Sequence, residues 1–243
     1  TLVFQDQKFE ITTLRHDVST DGRHANVEFI ENWREDSKRR DFTINAIYLD
    51  ENGKVFDPQF GINDLKNNNI KFIGEPDKRI KEDYLRILRF LRFSIHYRSF
   101  EINSNIQKII KLNLNGIKQL SKERIYSELE KIIKLKNFYE LFQNDFLVDI
   151  FNLIFPEFIH LDRIKSLEKL SKNSNIHMDK DLIFAAMLLD FSENYKYFFH
   201  KYNVSNETKD NLNLYSKILK NIKSNNFFFT NDLKMNIFFY GKE

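Results

Sequence analysis

Apolar and polar residues alternate over short stretches in the first third of the chain. Residues 8–14 (KFEITTL) follow this two-residue period, so we predict a strand there, with further strands at residues 27–30 and 44–49. The dipeptide Asn52-Gly53 follows an apolar stretch and predicts a hairpin turn. Residues 17–26 (DVSTDGRHAN) are mostly polar and predict a mobile loop.

The pattern becomes helical after about Gly74. Residues 80–95 predict one long helix. Residues 121–133 place Ile125, Leu129, Ile132 and Ile133 on one face, with Ser121 as the N-cap. Further helices are predicted at residues 138–155, 162–170, 180–189 and 207–222. We expect domain boundaries near residues 74–76 and, less sharply, near residue 136.

Composition narrows the class of protein. The 243 residues are 42% hydrophobic and 30% charged, which indicates a globular chain, and only 6 Gly and 3 Pro argue against an all-β fold. The absence of cysteine excludes disulfides and thiolate metal sites. Apolar runs long enough for a membrane span are missing, so no membrane partner is expected. Because the chain starts at Thr1 inside an expected strand, we predict that it is a fragment.

The charge is modest overall and uneven locally. A net charge of +3 does not by itself indicate nucleic acid. Between Asp77 and Arg98, however, basic residues outnumber acidic ones: Lys78, Arg79, Lys81, Arg86, Arg89, Arg92 and Arg98 stand against Asp77, Glu82 and Asp83. This stretch is typical either of a phosphate-contacting helix or of an ordinary solvated helix face.

Asp83 and Arg86 form the most specific pair in this basic stretch. At a spacing of three on a helix they would face one ligand together. A carboxylate only accepts hydrogen bonds and a guanidinium only donates them. Cytosine and adenine share an edge with an amino donor beside a ring-nitrogen acceptor, whereas uracil and guanine do not. The pair would therefore accept C and A, and the alternative is a surface salt bridge.

Arg89 and Arg92 continue the series at three-residue steps. Each step turns a helix backwards by about 60°, so Asp83 and Arg92 cannot share one face. The two arginines suit triphosphate, sugar or RNA phosphate better than a base. For Arg92 a structural salt bridge is the alternative.

Four sequence blocks follow one another along the chain: residues 39–46 (RRDFTINA), 57–65 (DPQFGINDL), 82–92 (EDYLRILRFLR) and 121–125 (SKERI). Their order and spacing resemble the family of class II tRNA nucleotidyltransferases and bacterial poly(A) polymerases. Together they cover about residues 1–155. Residues 9–29 resemble the CCA-adding branch more than the poly(A) branch.

The resemblance implies a partial α/β nucleotidyltransferase head with a mixed sheet, followed by all-α neck and body domains. Residues 1–74 would be the C-terminal part of the head and residues 75–135 a neck with the base-reading helix. Residues 136–243 would be an incomplete, tRNA-holding body. The implied activity is template-independent addition of C and A to the 3′ end of tRNA, from CTP and ATP with magnesium. The implied location is the cytoplasm, or an organelle in a eukaryote.

The resemblance also implies roles for single residues. Arg40 would contact the phosphates or sugar of the nucleotide, and Asn45 would shape the same pocket together with Asp41. Asp83 and Arg86 would read the base edge. The remaining implied roles are phosphate, sugar or RNA contacts for Arg89 and Arg92, and a turn towards the next domain formed by Asp57, Gly61 and Asp64.

Catalysis in this family implies two metal ions, held by an Asp-x-Asp pair on an early strand that this sequence does not contain. Glu10 is the candidate for a third metal-side acid, with an exposed strand residue as the alternative. Asp21, Gly22 and Arg23 resemble the flexible loop for switching from C to A addition, with a purely structural loop as the alternative. Without its main metal ligands, we expect the chain to be unable to catalyse by itself.

Two rival functions stay open at this point. A poly(A) polymerase, or an enzyme adding only C or only A, would share the same sequence blocks. A non-catalytic RNA-binding remnant would keep the basic helices without the metal-binding acids. The sequence gives no indication of oligomeric state or source.

Overall fold

The computed structural model describes residues 2–5, 7–20, 25–174 and 178–224. The chain divides into two compact units, Thr1–Leu120 and Ser121–Glu243. The first unit mixes short strands with helices, and the described part of the second unit is helical. The expected class, an α/β head part followed by all-α regions, is confirmed. The three-part division with boundaries near residues 74 and 136 stays a prediction, since the compact units meet at Leu120.

The strands of the first unit form three antiparallel two-stranded hairpins. They are β1 (Leu2–Phe4) with β2 (Gln7–Phe9), β3 (Arg15–Thr20) with β4 (Ala25–Phe29), and β5 (Tyr48–Leu49) with β6 (Val55–Phe56). In the β3–β4 pair Arg15 lies opposite Phe29, and the register shifts between Asp17 and Ser19. Every pair among the described residues is antiparallel, so the expected mixed sheet is represented here by antiparallel pairs alone.

Three predictions for the strand region were wrong in detail. Residues 10–14 of the predicted strand 8–14 are irregular, because pairing ends at Phe9. Most of the predicted loop 17–26 belongs to β3 and β4, since backbone pairing does not require apolar side chains. The predicted strand 44–49 is a short 3-10 helix, Thr43–Asn45, followed by β5.

The predicted hairpin turn at Asn52-Gly53 is confirmed. Gly53 has a φ of +78°, a conformation that glycine adopts without steric cost. The Asp50 carboxylate accepts hydrogen bonds from the backbone N–H groups of Asn52 (2.9 Å) and Lys54 (2.7 Å). These bonds fix the turn that joins β5 to β6.

Both units contain several helices. In the first unit they are α1 (Trp33–Lys38), α2 (Gly61–Lys66), α3 (Pro76–Glu82), α4 (Leu85–His96) and α5 (Ser104–Asn113). In the second unit they are α6 (Lys122–Ile133), α7 (Asp145–Ile154), α8 (Arg163–Ser174), α9 (Lys180–Leu188), α10 (Lys196–Tyr202) and α11 (Asn206–Ser224). None of the helices within the described ranges is long and apolar enough to cross a membrane.

The long helix predicted for residues 80–95 is interrupted at Asp83. The backbone of Asp83 is extended (φ −157°, ψ 105°), so α3 ends at Glu82 and α4 begins at Leu85. Tyr84 lies in the interruption and its ring packs directly on Gly116, where a Cβ atom would be only 2.0 Å from the ring. This tertiary contact accompanies a break that the periodicity of the sequence does not reveal.

Aromatic rings fill the core of each unit. In the first unit Phe42 is fully buried and its ring lies 4.8 Å from that of Phe72, which stacks on Phe90 at 5.7 Å. In the second unit Phe184 and Phe198 are fully buried with their ring centroids 5.2 Å apart. Burial of such side chains is the main source of stability in domains of this size.

The predicted helix at residues 121–133 is confirmed with its cap. The Ser121 hydroxyl accepts a hydrogen bond from the backbone N–H of Arg124 at 3.4 Å, and α6 follows. Leu129, Ile132 and Ile133 are buried as the pattern predicted, while Ile125 is half-buried.

Candidate functional site

Phe42 anchors the RRDFTINA segment to the core of the first unit. Its buried ring also packs edge-on against Phe93 of α4 at 5.5 Å. The backbone around it pairs with residues 71–73: Thr43 N–H donates to Lys71 O, and Ile73 N–H donates to Asp41 O, both at 3.0 Å. The charged residues that precede Phe42 are therefore held at fixed positions beside α4.

A buried carboxylate, Asp36, gathers two arginines of this segment. Its Oδ1 accepts hydrogen bonds from Arg39 Nη2 (2.6 Å), Arg39 Nε (2.9 Å) and the Arg15 backbone N–H (3.1 Å). Its Oδ2 accepts from the Tyr48 hydroxyl (2.7 Å), Arg40 Nη2 (3.0 Å) and Arg40 Nε (3.2 Å). Arg40, which we predicted to contact a nucleotide, is thus oriented by α1.

This network shifts the acidity of its members. Burial alone raises the pKa of Asp36, but the hydrogen bonds from Tyr48, Arg15, Arg39 and Arg40 outweigh it and lower the pKa to about 2. Burial and the hydrogen bond to Asp36 raise the pKa of Tyr48 to about 12. At neutral pH the Asp36 carboxylate is therefore charged and the Tyr48 hydroxyl keeps its proton.

Asp41 connects the same segment to α4. Its Oδ2 forms an ion pair with Arg89 Nε, and its Oδ1 accepts from Asn45 Nδ2 and from the Phe42 N–H, both at 3.0 Å. Burial raises the pKa of Asp41, but the Arg89 guanidinium and Asn45 reverse the shift and hold it below its usual range. Two predicted nucleotide-binding residues, Asn45 and Arg89, therefore meet on one carboxylate.

Arg79 and Glu82 join the RRD segment to the predicted base-reading residues. Arg79 Nη2 donates to the backbone carbonyls of Arg39 (2.7 Å) and Arg40 (2.6 Å), while its Nη1 lies 2.5 Å from Glu82 Oε2. Arg86 Nη1 donates to the same Glu82 oxygen at 2.6 Å and to the Arg79 carbonyl at 2.5 Å. One continuous chain of hydrogen bonds thus links Arg40 to Arg86.

Asp83 sits at the break between α3 and α4 rather than within a helix. Its Oδ1 accepts a hydrogen bond from the Leu85 N–H at 3.1 Å, and its carbonyl accepts from the Arg86 N–H at 3.0 Å. The prediction that Asp83 and Arg86 lie in one helix, three residues apart, is therefore wrong. The backbone hydrogen bond nevertheless keeps the two residues adjacent, and both are half-buried.

Arg92 lies over the ring of Phe93, 4.1 Å from its centroid, and the Arg89 guanidinium lies 5.3 Å from the same ring. Because Phe93 packs on Phe42, both arginines are tied to the aromatic core that anchors the RRD segment. Arg89 and Arg92 lie three residues apart within α4, and their contact with phosphate, sugar or RNA stays a prediction.

The predicted turn at Asp57, Gly61 and Asp64 is present. The Asp57 carboxylate accepts from the backbone N–H groups of Gly61 (2.8 Å) and Ile62 (2.9 Å). Asp64 accepts from the Thr43 hydroxyl at 2.7 Å. A Cβ atom at Gly61 would lie 2.1 Å from the Thr43 carbonyl oxygen, so the turn needs glycine there. Its predicted role as a connection to the next domain stays a prediction.

Glu10 stands apart from this network. Glu10 is exposed and lies just beyond β2, which ends at Phe9. Asp21, Gly22 and Arg23 lie outside the described residues. Across the described part of the chain, no three His, Asp or Glu side chains converge as metal ligands. The described residues therefore contain no complete metal site of their own, and we assign no chemical step to a metal ion.

Sequence reasoning missed Asp36, Arg79 and Glu82 as organising residues. A local signal was available for Glu82, which is three residues from Arg79 and four from Arg86, and for Asp36. Asp36 precedes Arg39 and Arg40 by three and four residues, the spacing at which oppositely charged side chains meet on a helical turn. The contacts of Arg79 with the carbonyls of Arg39 and Arg40 span about forty residues and have no local signal.

Two family profiles match the chain in succession. The profile described as the Poly A polymerase head domain matches residues 1–71. A second, described as the probable RNA and SrmB-binding site of polymerase A, matches residues 99–161. The RRD segment and the Asp57 turn lie in the first region, and α5 and α6 lie in the second.

Curated relatives resemble almost the whole chain. The human CCA tRNA nucleotidyltransferase 1, mitochondrial, is 38% identical over 223 residues, which are 90% of this chain and 50% of the relative. The CCA-adding enzyme of Staphylococcus aureus (strain Newman) is 32% identical over 225 residues, 92% of this chain and 54% of the relative. The chain therefore spans about half the length of these relatives.

Solved structures share the fold. The CCA-adding enzyme of Bacillus stearothermophilus in complex with CTP has a TM-score of 0.65 at 24% identity, covering 92% of this chain and 54% of that one. The Thermotoga maritima CCA-adding enzyme complexed with tRNA has a TM-score of 0.57 at 22% identity, covering 76% and 48%. At these identities the likeness concerns the fold alone.

Proposed function

The chain belongs to the family of tRNA nucleotidyltransferases and poly(A) polymerases, and from this premise we propose that the complete protein adds C and A to the 3′ end of tRNA. CTP and ATP are the proposed substrates and magnesium the proposed cofactor. The observation that carries the proposal is the Asp41–Arg89 ion pair, which joins the RRD segment to α4. The identity with named CCA-adding relatives supports the same activity.

Phosphate and sugar contacts are the proposed role of the residues around Asp41. Arg40 is one-third exposed and permanently charged, so its guanidinium is suited to a triphosphate. Asn45 is oriented by Asp41 and is suited to the ribose. Arg89 and Arg92 are suited to the remaining phosphate oxygens or to RNA phosphate.

Base selection is the proposed role of Asp83 and Arg86. The carboxylate would accept from the amino group of C or A, and the guanidinium would donate to the neighbouring ring nitrogen. Uracil and guanine would leave these groups unpaired, at a cost of roughly 1–3 kcal/mol for each buried group. Glu82 and the Arg79 carbonyl would hold Arg86 in place for this contact.

The other predicted residues enter the proposal without structural support of their own. Glu10 stays the proposed third metal-side acid. Asp21, Gly22 and Arg23 stay the proposed loop for the change from C to A addition. The helical second unit is the proposed tRNA-holding part. Location in the cytoplasm or an organelle is likewise a prediction, and the human relative is named as mitochondrial.

A poly(A) polymerase is the second candidate function. The profile that matches residues 1–71 carries the name of that enzyme and favours it. An enzyme that adds only C or only A, and a non-catalytic RNA-binding remnant, are the further alternatives.

The decisive assay uses the complete protein and a tRNA lacking its three terminal nucleotides. With CTP, ATP and magnesium we expect a product extended by C, C and A, read by sequencing of the 3′ end. A long A tract would establish the poly(A) alternative, and addition of one nucleotide type would establish a partial enzyme. The same tRNA bound without any extension would indicate the non-catalytic remnant.

A further inference from the structure

We propose that Asp36 is a positioning residue that sets the Arg40 guanidinium for contact with the nucleotide triphosphate. This inference rests on the proposed function, because it concerns the nucleotide of that reaction. Asp36 itself does not touch the nucleotide. It acts through Arg40, and it acts on the phosphates rather than on the base.

The carboxylate divides its two oxygens between two arginines. Arg39 presents Nε and Nη2 to Oδ1, and Arg40 presents Nε and Nη2 to Oδ2. The Asp36 side chain is fully buried, whereas the side chains of Arg39 and Arg40 are 16% and 33% exposed. The anchor is thus inside the unit, and Arg40 is the member of the pair that solvent and ligand can reach.

Charge explains why such an anchor is needed. Two guanidinium groups on adjacent residues repel each other, and one carboxylate between them reduces that repulsion while leaving a net charge of about +1. A site with this balance stays attractive to a triphosphate. Because each arginine is held through two of its nitrogens, its plane is fixed before the ligand arrives, which lowers the entropic cost of binding.

Tyr48 also holds the Asp36 carboxylate, through the oxygen that Arg40 contacts. Its hydroxyl donates to Asp36 Oδ2 at 2.7 Å, and the Arg40 guanidinium lies 5.6 Å from the centre of its ring. The ring of Trp33 packs against Tyr48 at 5.4 Å, and that of Phe56 lies 6.4 Å away. Tyr48 therefore belongs to the same positioning device and provides a milder way to disturb it.

A purely structural role for Asp36 makes a different prediction. It would lower stability on substitution without distinguishing one part of the nucleotide from another. The two roles separate when the binding of CTP is compared with that of cytidine, which carries the same base and ribose but no phosphate.

The test measures CTP and cytidine affinity of the complete protein by calorimetric titration, for the wild type, Asp36→Asn and Tyr48→Phe. We expect Asp36→Asn to weaken CTP binding by about tenfold and Tyr48→Phe by roughly threefold. Cytidine affinity should stay unchanged in both. Tyr48→Phe keeps the charge and both arginines, so it provides a folded variant if Asp36→Asn is unstable.

Asp64→Asn is the matched control. Asp64 is a nearly buried acid of the same unit whose partners are Thr43 and Asn69 rather than arginines. Its substitution should lower stability and leave CTP affinity unchanged. Equal loss of CTP and cytidine binding in Tyr48→Phe, or no loss of CTP binding in either variant, would overturn the positioning role.

The same titration separates this inference from the proposed function. A wild-type protein that binds CTP but extends no tRNA refutes the activity, while the assignment of Asp36 is still decided by the variants. A wild-type protein that binds no CTP overturns both.

Discussion

Asp36 and Asp41 of the first unit differ from Asp181 of the second unit in the partners of their buried carboxylates. In the first unit Asp36 and Asp41 are paired with arginines that remain partly exposed. In the second unit Asp181 is satisfied by Lys180 (2.9 Å) and by the neutral donors Thr208 (2.9 Å) and Asn211 (2.8 Å). The partners of Asp36 and Asp41 leave guanidinium groups available to a ligand. The partners of Asp181 satisfy its carboxylate within the second unit.

From this difference we infer that the functional site lies in the first unit. Buried ion pairs add little net stability, because desolvation offsets most of their attraction. We propose that the first unit, which keeps such pairs with arginines at its surface, recognises an anion. Aromatic cores stabilise both units. We therefore expect substitutions in the two units to differ in their effects on stability and on CTP binding. The expected losses of stability range from large to small.

Phe198→Ala should give the largest loss of stability. Phe198 is fully buried and its ring contacts Tyr126, Phe158, Phe184 and Tyr202. Removal of a buried phenyl ring costs about 3–5 kcal/mol in the free energy of unfolding. Chemical denaturation should report this loss, and CTP affinity of the folded protein should not change.

The control for this variant is Tyr197→Ala, on the same helix. Tyr197 is 63% exposed, so its removal should change stability very little. A marked loss of CTP affinity in Phe198→Ala, under conditions where the protein is folded, would contradict the separation of roles between the units.

Gly116→Ala should disturb both stability and nucleotide binding. The added methyl group would overlap the Tyr84 ring, which lies beside Asp83 at the break between α3 and α4. Overpacking of this kind costs about 1–3 kcal/mol. We expect the KM for CTP to rise in a steady-state assay, because the base-reading segment must shift.

Gly53→Ala is the matched control for Gly116→Ala. Gly53 has a positive φ, and an added methyl group there would have no other atom within 4 Å, so only backbone strain of roughly 1 kcal/mol is expected. An unchanged KM in Gly116→Ala would show that the packing of Tyr84 does not position Asp83.

Acid unfolding should reveal the Asp36 network. The pKa of Asp36 is about 2 in the folded protein and about 4 in the unfolded chain. Its carboxylate therefore stabilises the fold when the pH is above about 4. This contribution, about 2 kcal/mol, is lost as the pH falls from about 4 to 2. In Asp36→Asn the free energy of unfolding should therefore depend less on pH between about 4 and 2. A pH dependence parallel to that of the wild type would contradict the network.

Ser121→Ala should give the smallest effect. It removes the hydroxyl that caps α6 and should cost about 1 kcal/mol in the unfolding free energy of the second unit. Ser127→Ala makes the same chemical change at an exposed position within that helix. At that position we expect a gain of about 0.5 kcal/mol in the unfolding free energy. Equal changes in the two variants would contradict the capping role of Ser121.

Regular local patterns were predictable from the sequence. The helix at residues 121–133 has an apolar face and a capping serine, and both features are local. The hairpin turn at Asn52-Gly53 depends on the conformational freedom of glycine and could equally be predicted from the sequence. The break at Asp83 was not, because Tyr84 packs on Gly116, thirty-two residues further along the chain.

The candidate site was predictable as a set of residues and not as a geometry. Arg40, Asn45, Arg86 and Arg89 were identified from the sequence blocks, and the structure joins them through Asp36, Asp41, Arg79 and Glu82. The contacts of Arg89 with Asp41 and of Arg79 with the Arg39 and Arg40 carbonyls reach across distant segments, so no periodicity encodes them. The pairs formed by Asp36 and by Glu82, at spacings of three and four, had a local signal.

The central claim is that the first unit selects bases through Asp83 and Arg86. It is tested most directly by the ratio of kcat/KM for CTP to that for UTP, in the complete protein and in a variant with Asp83→Ala and Arg86→Ala. Lys81→Ala, which removes an exposed cation of α3, is the control and should keep the ratio.

We predict that the double substitution lowers this ratio by about tenfold or more, as expected for one or two unpaired polar groups. The affinity for tRNA should change much less. An unchanged ratio of CTP to UTP in the double variant, with catalysis still measurable, would contradict the claim.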